Sequence, residues 1–123
     1  MSRNYQEVIE NLYDSVGRLN KSLPDVMDGY ATMSAAAKKA GALDVKTKEL
    51  IAIAISVANR CDGCIAAHTN AAAKHGVNRE ELLETLGIAI YMQLVQMDKQ
   101  YSIFRLELAL KYLLFFHFDH QHQ

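Results

Sequence analysis

The stretch that decides the fold is residues 44–58, which read DVKTKELIAIAISVA. Its alternating isoleucines also fit a buried strand, and periodicity alone does not separate the two structures. The residues between the isoleucines are alanines, and the run after a capping Asp44 exceeds a dozen residues, which favours a helix. Because this helix is apolar on nearly every side, we expect it to be central or shared with another subunit.

Two helices are predicted before this stretch. The first covers about Tyr5 to Leu19, where apolar residues recur at helical spacing. The second is expected to begin near Ser22, with that hydroxyl as its cap and Pro24 in the first turn, and to end at Gly41. Three residues of the second helix have the spacing of core packing or a pocket wall rather than a cofactor site; they are Met27, Tyr30 and Met33.

Further helices are predicted after the deciding stretch. A fourth opens at Asp62 and ends at Gly76, and a fifth starts from a capping box at 78–81. From Asp98 the chain is expected to form a sixth helix that is rich in Leu and Phe. No repeat or linker interrupts this pattern. It therefore predicts one all-α domain over residues 1–123, a bundle of about six helices.

Composition limits the classes of function. The chain has 123 residues, half of them apolar, and a net charge of −1 with acidic and basic residues interspersed. This balance argues against nucleic acid or an anionic membrane surface as a partner. The N-terminal residues show no secretory signal, and the apolar runs fall short of the roughly 20 residues that cross a bilayer. We expect a cytoplasmic protein without a transmembrane span.

Two cysteines form the most informative motif, Cys61-Asp62-Gly63-Cys64. In a reducing compartment they are not expected to form a permanent structural disulfide. Their i, i+3 spacing in the first turn of a helix favours reversible pairing. Unsatisfied N–H groups and partial positive charge at the helix N-terminus stabilise a thiolate and lower the pKa of the thiol. The motif therefore predicts a reactive dithiol.

A histidine and a carboxylate accompany the dithiol. His68 follows Cys64 by four residues and Cys61 by seven, so the three side chains share one helix face. Histidine takes a thiol proton near neutral pH, and a carboxylate on its other ring nitrogen orients it. Glu49 is the best candidate for that carboxylate, because an acid in an otherwise apolar helix needs a partner.

The order Glu49, Cys61, Cys64 and His68 resembles the carboxymuconolactone decarboxylase superfamily, and within it the alkylhydroperoxidase D-like branch. The resemblance covers about Leu43 to Met92. It implies an all-α fold that assembles as homo-trimers or hexamers. It also implies a thiol-dependent peroxidase with an antioxidant role that requires no bound cofactor.

The resemblance further implies the role of each site residue. Cys64 is the peroxidatic thiol that attacks a hydroperoxide, and Cys61 is the resolving thiol. His68 removes the thiol proton with support from Glu49. A sulfenic acid on Cys64 then condenses with Cys61 to a disulfide, and a lipoyl or thioredoxin-like dithiol returns it to the reduced form. Peroxidase members of the branch carry a second histidine between the cysteines, where this chain has Gly63.

Other interpretations of these residues remain open. Zinc could bind Cys61, Cys64, His68 and His75, although no second ligand pair is present. His75 is otherwise a helix C-terminal residue that interacts with the dipole. The cysteines could also be inert, and Glu49 could be an exposed early-helix acid.

At the level of the whole protein, two further functions stand beside the peroxidase. One is a non-enzymatic redox sensor or metal-binding module, and the other is a decarboxylase-type lyase. The polar C-terminal end is expected to be solvated, with weak metal binding at most; its histidines are His117, His120 and His122.

Overall fold

Within the residues described by the computed structural model, 4–93 and Lys111, the chain is helical and contains no strand. The five helices are α1 Tyr5–Ser22, α2 Pro24–Lys38, α3 Val45–Ala58, α4 Asp62–Lys74 and α5 Arg79–Gln93. The predicted all-α fold is confirmed, and the strand alternative for residues 51–57 is wrong. Apart from Lys111, the sixth helix predicted from Asp98 lies outside the described residues.

The core forms where α3 packs against α4 and α5, while α1 lies across α4 and α2 contacts α1 and α3. Ile53, Ile65 and Leu82 come from three different helices and are completely buried. One side of α3 is therefore central, as predicted. Its other side is not, because Ile51 and Ile55 are 44% and 53% exposed.

Side-chain caps start the two helices where the sequence predicts them. The Asp44 carboxylate accepts the backbone N–H of Thr47 at 2.7 Å. Before α5, Asn78 and Glu81 each accept the other's backbone N–H at 2.9 Å. These bonds satisfy N–H groups that have no partner inside a helix.

The start and end of α2 differ from the prediction. Ser22 is the last residue of α1 and not a cap; Leu23 precedes α2 and makes no side-chain cap. The cause is Pro24, because a proline excludes helical geometry at the residue before it but suits the first helical position. The helix ends at Lys38, because the next residue, Lys39, has a non-helical ψ of 133°. This end comes before Gly41, where the sequence predicted it.

The end of α4 agrees with the prediction within two residues. His75 is its C-cap residue, and Gly76 follows with φ 78°, a left-handed conformation that favours glycine. None of the described helices is long and apolar enough to cross a membrane.

Polar contacts join α5 to α3 at both ends. Lys46, in the first turn of α3, forms an ion pair with Glu81 in the first turn of α5. At the other end, the Gln93 side-chain amide donates to the Ala58 carbonyl at 2.7 Å. Together with the core residues between them, these contacts hold α3 and α5 side by side. Glu49 lies on α3.

Candidate functional site

The corner between α3 and α4 places Cys61. Its backbone N–H donates to the Ser56 carbonyl at 3.1 Å, and Arg60 before it has φ 57° in the left-handed region. A left-handed residue lets the chain reverse direction over a short distance. As predicted, α4 then begins at Asp62, and Cys61 is its N-cap residue.

Cys61 and Cys64 are joined by a disulfide, with their Cα atoms 5.2 Å apart. The sulfur of Cys61 also accepts the backbone N–H of Cys64 at 3.2 Å. Both residues are half-buried, so the pair is within reach of a small reactant. In the reduced form, a thiolate here would lie near the backbone N–H groups at the positive end of α4.

Glu49 and His68 are in direct contact. The distance from His68 Nδ1 to Glu49 Oε2 is 2.7 Å. The Glu49 side chain is 3% exposed and that of His68 is 33% exposed. The predicted contact between these residues is present. The alternative interpretation of Glu49 as an exposed helix acid is wrong.

This contact determines which ring nitrogen of His68 is free. An ionised carboxylate only accepts hydrogen bonds, so Nδ1 donates when Glu49 carries its charge. In the neutral imidazole, Nε2 then keeps its lone pair and is the atom that can accept a proton.

A groove of about 450 Å³ lies between α2 and α3, a volume typical of small-molecule sites. Of the four predicted site residues, His68 is the one that lines it. The other lining residues are mostly apolar, with lysines at the rim: Tyr30, Met33, Ser34, Ala37, Lys38, Lys48, Ile51, Ala52 and Ile55. Tyr30 and Met33 are thus pocket-wall residues and not core residues, being 59% and 64% exposed.

In the part of the chain that the structure describes, no three His, Cys, Asp or Glu side chains are grouped as a metal ion would need. His75 is at the C-terminal end of α4, whereas the cysteines are at its N-terminal end. In the disulfide form, Cys61 and Cys64 have no thiolate to offer a metal.

Comparison with known proteins identifies the family. The profile of the carboxymuconolactone decarboxylase family matches residues 24–96, more than half of the chain and a range that contains all four predicted site residues. The chain belongs to the carboxymuconolactone decarboxylase family. The resemblance predicted from the sequence is confirmed at this level, and the match begins earlier than expected because it includes α2.

The bacterial sequence relatives of the chain include two that are named as uncharacterized proteins. One, from Haemophilus influenzae, is 39% identical over 72 residues, which are 58% of this chain and 64% of the relative. The other, from Cupriavidus necator, is 40% identical over 76 residues, which are 62% of this chain and 67% of the relative. The chain thus spans about two thirds of the length of these relatives.

Two solved structures have a similar fold. A carboxymuconolactone decarboxylase family protein from Legionella pneumophila superposes with a TM-score of 0.84 and 38% identity, covering 94% of this chain and 98% of its own. A protein from Thermotoga maritima superposes with a TM-score of 0.76 and 25% identity, covering 93% and 99% of the two chains.

The Leu12 side chain of α1 lies beside Gly63, the residue that precedes Cys64. A Cβ atom built on Gly63 would lie 3.4 Å from Cδ1 of Leu12 on α1. A larger side chain there would therefore have to grow past Leu12. Leu12 of α1 thus occupies the space beside Gly63 on the side where a side chain at this position would begin.

Sequence reasoning missed Lys48 and the groove. The Lys48 ammonium donates to the carbonyl oxygens of Ala37 at 2.9 Å and Lys39 at 2.6 Å. Backbone carbonyls leave no side-chain signal in a sequence, so the spacing of residue types could not reveal these partners. The helical pattern of Tyr30 and Met33 was the one available sign of a pocket wall.

Proposed function

We propose that this protein is a thiol-dependent peroxidase that reduces hydroperoxides through a Cys61 and Cys64 dithiol and disulfide cycle. The observation that carries the proposal is the contact between the buried Glu49 on α3 and His68 on α4, the helix whose first turn holds the cysteine pair. Family membership supports the class of fold in which this chemistry is expected. Cys64, Cys61, His68 and Glu49 are the proposed catalytic residues.

The first step oxidises Cys64. His68 takes the thiol proton at Nε2, and the Cys64 thiolate attacks the outer oxygen of the hydroperoxide. An S–O bond forms as the O–O bond breaks, and the departing alkoxide takes a proton from the imidazolium to leave as an alcohol. Cys64 is then a sulfenic acid, and the peroxide has been reduced by two electrons.

The second step converts the sulfenic acid into a disulfide, and a third step restores the two thiols. The Cys61 sulfur attacks the Cys64 sulfur, which forms the disulfide and releases the hydroxyl as water. The Cα separation of 5.2 Å shows that the backbone already accommodates this bond. An external dithiol, of the lipoyl or thioredoxin type, then supplies two electrons and two protons by thiol–disulfide exchange.

The two cysteines should respond differently to substitution. In Cys61→Ser, Cys64 should still react with stoichiometric peroxide, and its sulfenic or over-oxidised form should accumulate because no resolving thiol remains. In Cys64→Ser, the remaining thiol lacks the base one turn further along α4, so oxidation should slow by about 100-fold or more. Mass spectrometry of the reduced variants after timed exposure to cumene hydroperoxide measures both effects.

Turnover separates the peroxidase from the other functions. With excess dihydrolipoic acid, the unsubstituted protein should consume many equivalents of peroxide, whereas a redox sensor would be oxidised only once. A sulfenic acid that forms faster on Cys61 would reverse the assigned roles. If neither thiol reacts faster than free cysteine, the peroxidase proposal is wrong, and assays for decarboxylation or metal binding become the next experiments.

A further inference from the structure

We propose that Lys48 is a positioning residue that holds α2 against α3 and thereby sets the width of the groove beside His68. The inference rests on the proposed function in one respect, since it treats the groove as the place where the organic part of a hydroperoxide binds. The contact between Lys48 and α2 is independent of that function and can be measured without any enzyme assay.

The Lys48 ammonium lies where α2 most needs a donor. The last carbonyl groups of a helix have no intrahelical partner, and the helix dipole makes this end negative. Lys48 Nζ donates to the carbonyl oxygens of Ala37 and Lys39, which flank the last residue of α2. One cation from α3 therefore binds the C-terminal end of the neighbouring helix.

Apart from its contact with α1, little else fastens α2. None of the side chains in residues 24–38 is buried within the part of the chain that the structure describes. Met27 and Ser34 are half-buried, and the remaining α2 residues are exposed. The apolar burial that normally fixes a helix is small here, so hydrogen bonds from a charged group carry more of the attachment.

The same attachment shapes the groove. Tyr30 and Met33 form its wall on α2, while Ile51 and Ile55 form its wall on α3. Lys48 lies at the end where the two helices are joined. When its hydrogen bonds are lost, the α2 wall is free to move away, and an organic group between the walls loses contacts.

Lys48 precedes Glu49 in the chain, but the two side chains point in different directions. Neighbouring residues of a helix are about 100° apart around its axis. The Glu49 carboxylate contacts His68, whereas the Lys48 ammonium contacts the end of α2. A substitution at Lys48 therefore changes the groove without removing a group from the proposed proton relay.

The test compares Lys48→Met, which keeps the length and loses the donor, with Lys48→Arg, which keeps a charged donor. Lys46→Met on the same helix is the matched control, because its partner is Glu81 and not α2. Hydrogen exchange of residues 24–38 is the first readout. We expect exchange about tenfold faster in Lys48→Met, and close to the unsubstituted rate in Lys48→Arg and Lys46→Met.

Peroxide size provides the second readout. In Lys48→Met, KM should rise several-fold for cumene hydroperoxide, and the ratio of kcat/KM for cumene hydroperoxide to that for hydrogen peroxide should fall. A general loss of structure would lower both values of kcat/KM and leave their ratio unchanged. The ratio in Lys46→Met should equal that of the unsubstituted protein.

Each outcome bears on one proposal. Unchanged hydrogen exchange of residues 24–38 in Lys48→Met overturns the role of Lys48. If Lys48→Met is active, an unchanged ratio of kcat/KM for cumene hydroperoxide to that for hydrogen peroxide overturns it as well. If Lys48→Met does not fold, Lys48→Gln is measured in the same way, and unchanged exchange there overturns the role as well. A protein that reduces no peroxide contradicts the proposed function, while its hydrogen exchange still decides whether Lys48 holds α2.

Discussion

At the scale of single residues, the burial of Glu49 makes its contact with His68 important for both stability and chemistry. The Glu49 side chain is 3% exposed, so its carboxylate has lost nearly all of its hydration, and only hydrogen bonds or a cation compensate for that loss. His68 provides the hydrogen bond at 2.7 Å. Loss of His68 would leave a buried charge unpaired, whereas an amide at position 49 removes the charge and keeps the shape.

Glu49→Gln should therefore slow the thiol chemistry and retain the fold. Without the carboxylate charge, His68 is a weaker acceptor of the thiol proton, so the pKa of the reactive thiol should rise relative to the unsubstituted protein. The rate of iodoacetamide alkylation at pH 7 should fall about tenfold. Circular dichroism should show the same helix content.

Glu84→Gln is the matched control for this substitution, because Glu84 is an exposed acid on α5. In Glu84→Gln, the rate of thiol alkylation by iodoacetamide should depend on pH as it does in the unsubstituted protein. A Glu49→Gln protein whose profile across pH is also unchanged would place Glu49 outside the proton relay.

The sequence predicts part of this site and not the rest, for a physical reason. Cys61, Cys64 and His68 share one helix, so their spacing alone places them on one face. Glu49 is on a different helix, and its distance from His68 depends on how α3 packs against α4. The isolated acid in an otherwise apolar helix suggested this contact, and the family resemblance agreed with it, whereas Lys48 had no such guide because its partners are backbone atoms.

At the scale of helices, predicted starts are accurate where a side-chain cap defines them. Asp44 and Asn78 each accept a backbone N–H in the first turn that follows. The start of α2 was misplaced because Ser22 suggested a cap, while Pro24 alone decided where the helix breaks. The end of α2 has no capping side chain of its own, and its carbonyls are bound by Lys48 from another helix.

The caps of α3 and α5 should make stability depend on pH. Hydrogen bonds from Thr47 lower the pKa of Asp44, and the Lys46 ammonium, followed by the Asn78 backbone N–H, lowers the pKa of Glu81. Both folded-state values lie below the ordinary ones. The stabilisation is therefore complete above the ordinary carboxyl range and is lost as pH falls through that range toward the lowered values.

Substitution of each carboxylate isolates this effect. The free energy of unfolding in urea should fall between pH 6 and about pH 3 in the unsubstituted disulfide form, and it should fall less in Asp44→Asn and in Glu81→Gln. Asn still caps a helix, so Asp44→Asn removes the charge and keeps the acceptor. Glu80→Gln, next to Glu81, is the control, and an equally shallow pH dependence in that variant would contradict the assignment.

At the scale of the whole molecule, two groups of apolar side chains are exposed among residues 4–93. On α5, Ile88, Tyr91 and Met92 follow i, i+3, i+4 spacing and are 61%, 69% and 65% exposed. The second surface consists of the groove walls on α2 and α3. Single exposed apolar residues are common, but grouped ones indicate an interaction surface.

These surfaces support the proposal of a homo-oligomer, a trimer or hexamer as the family resemblance implies. In a closed symmetric assembly every copy buries the same surfaces, so an apolar face that is exposed on one chain is covered on all of them. A chain that depends on such contacts has a stability that varies with its concentration. The unsubstituted protein should therefore unfold at a lower temperature when it is diluted.

Light scattering and a single charge substitution test this assembly. The unsubstituted protein should have at least three times the mass of one chain, and Ile88→Glu should lower that mass because a charge buried between chains loses its hydration. Lys74→Glu is the control, since Lys74 is exposed at the polar end of α4 and should leave the mass unchanged. If Ile88→Glu keeps the full mass, the α5 face is not the contact, and Ile51→Glu then tests the second surface. A stable monomer whose unfolding temperature does not vary with dilution would contradict the homo-oligomer, and the apolar groove beside His68 would then be open to substrate in a single chain.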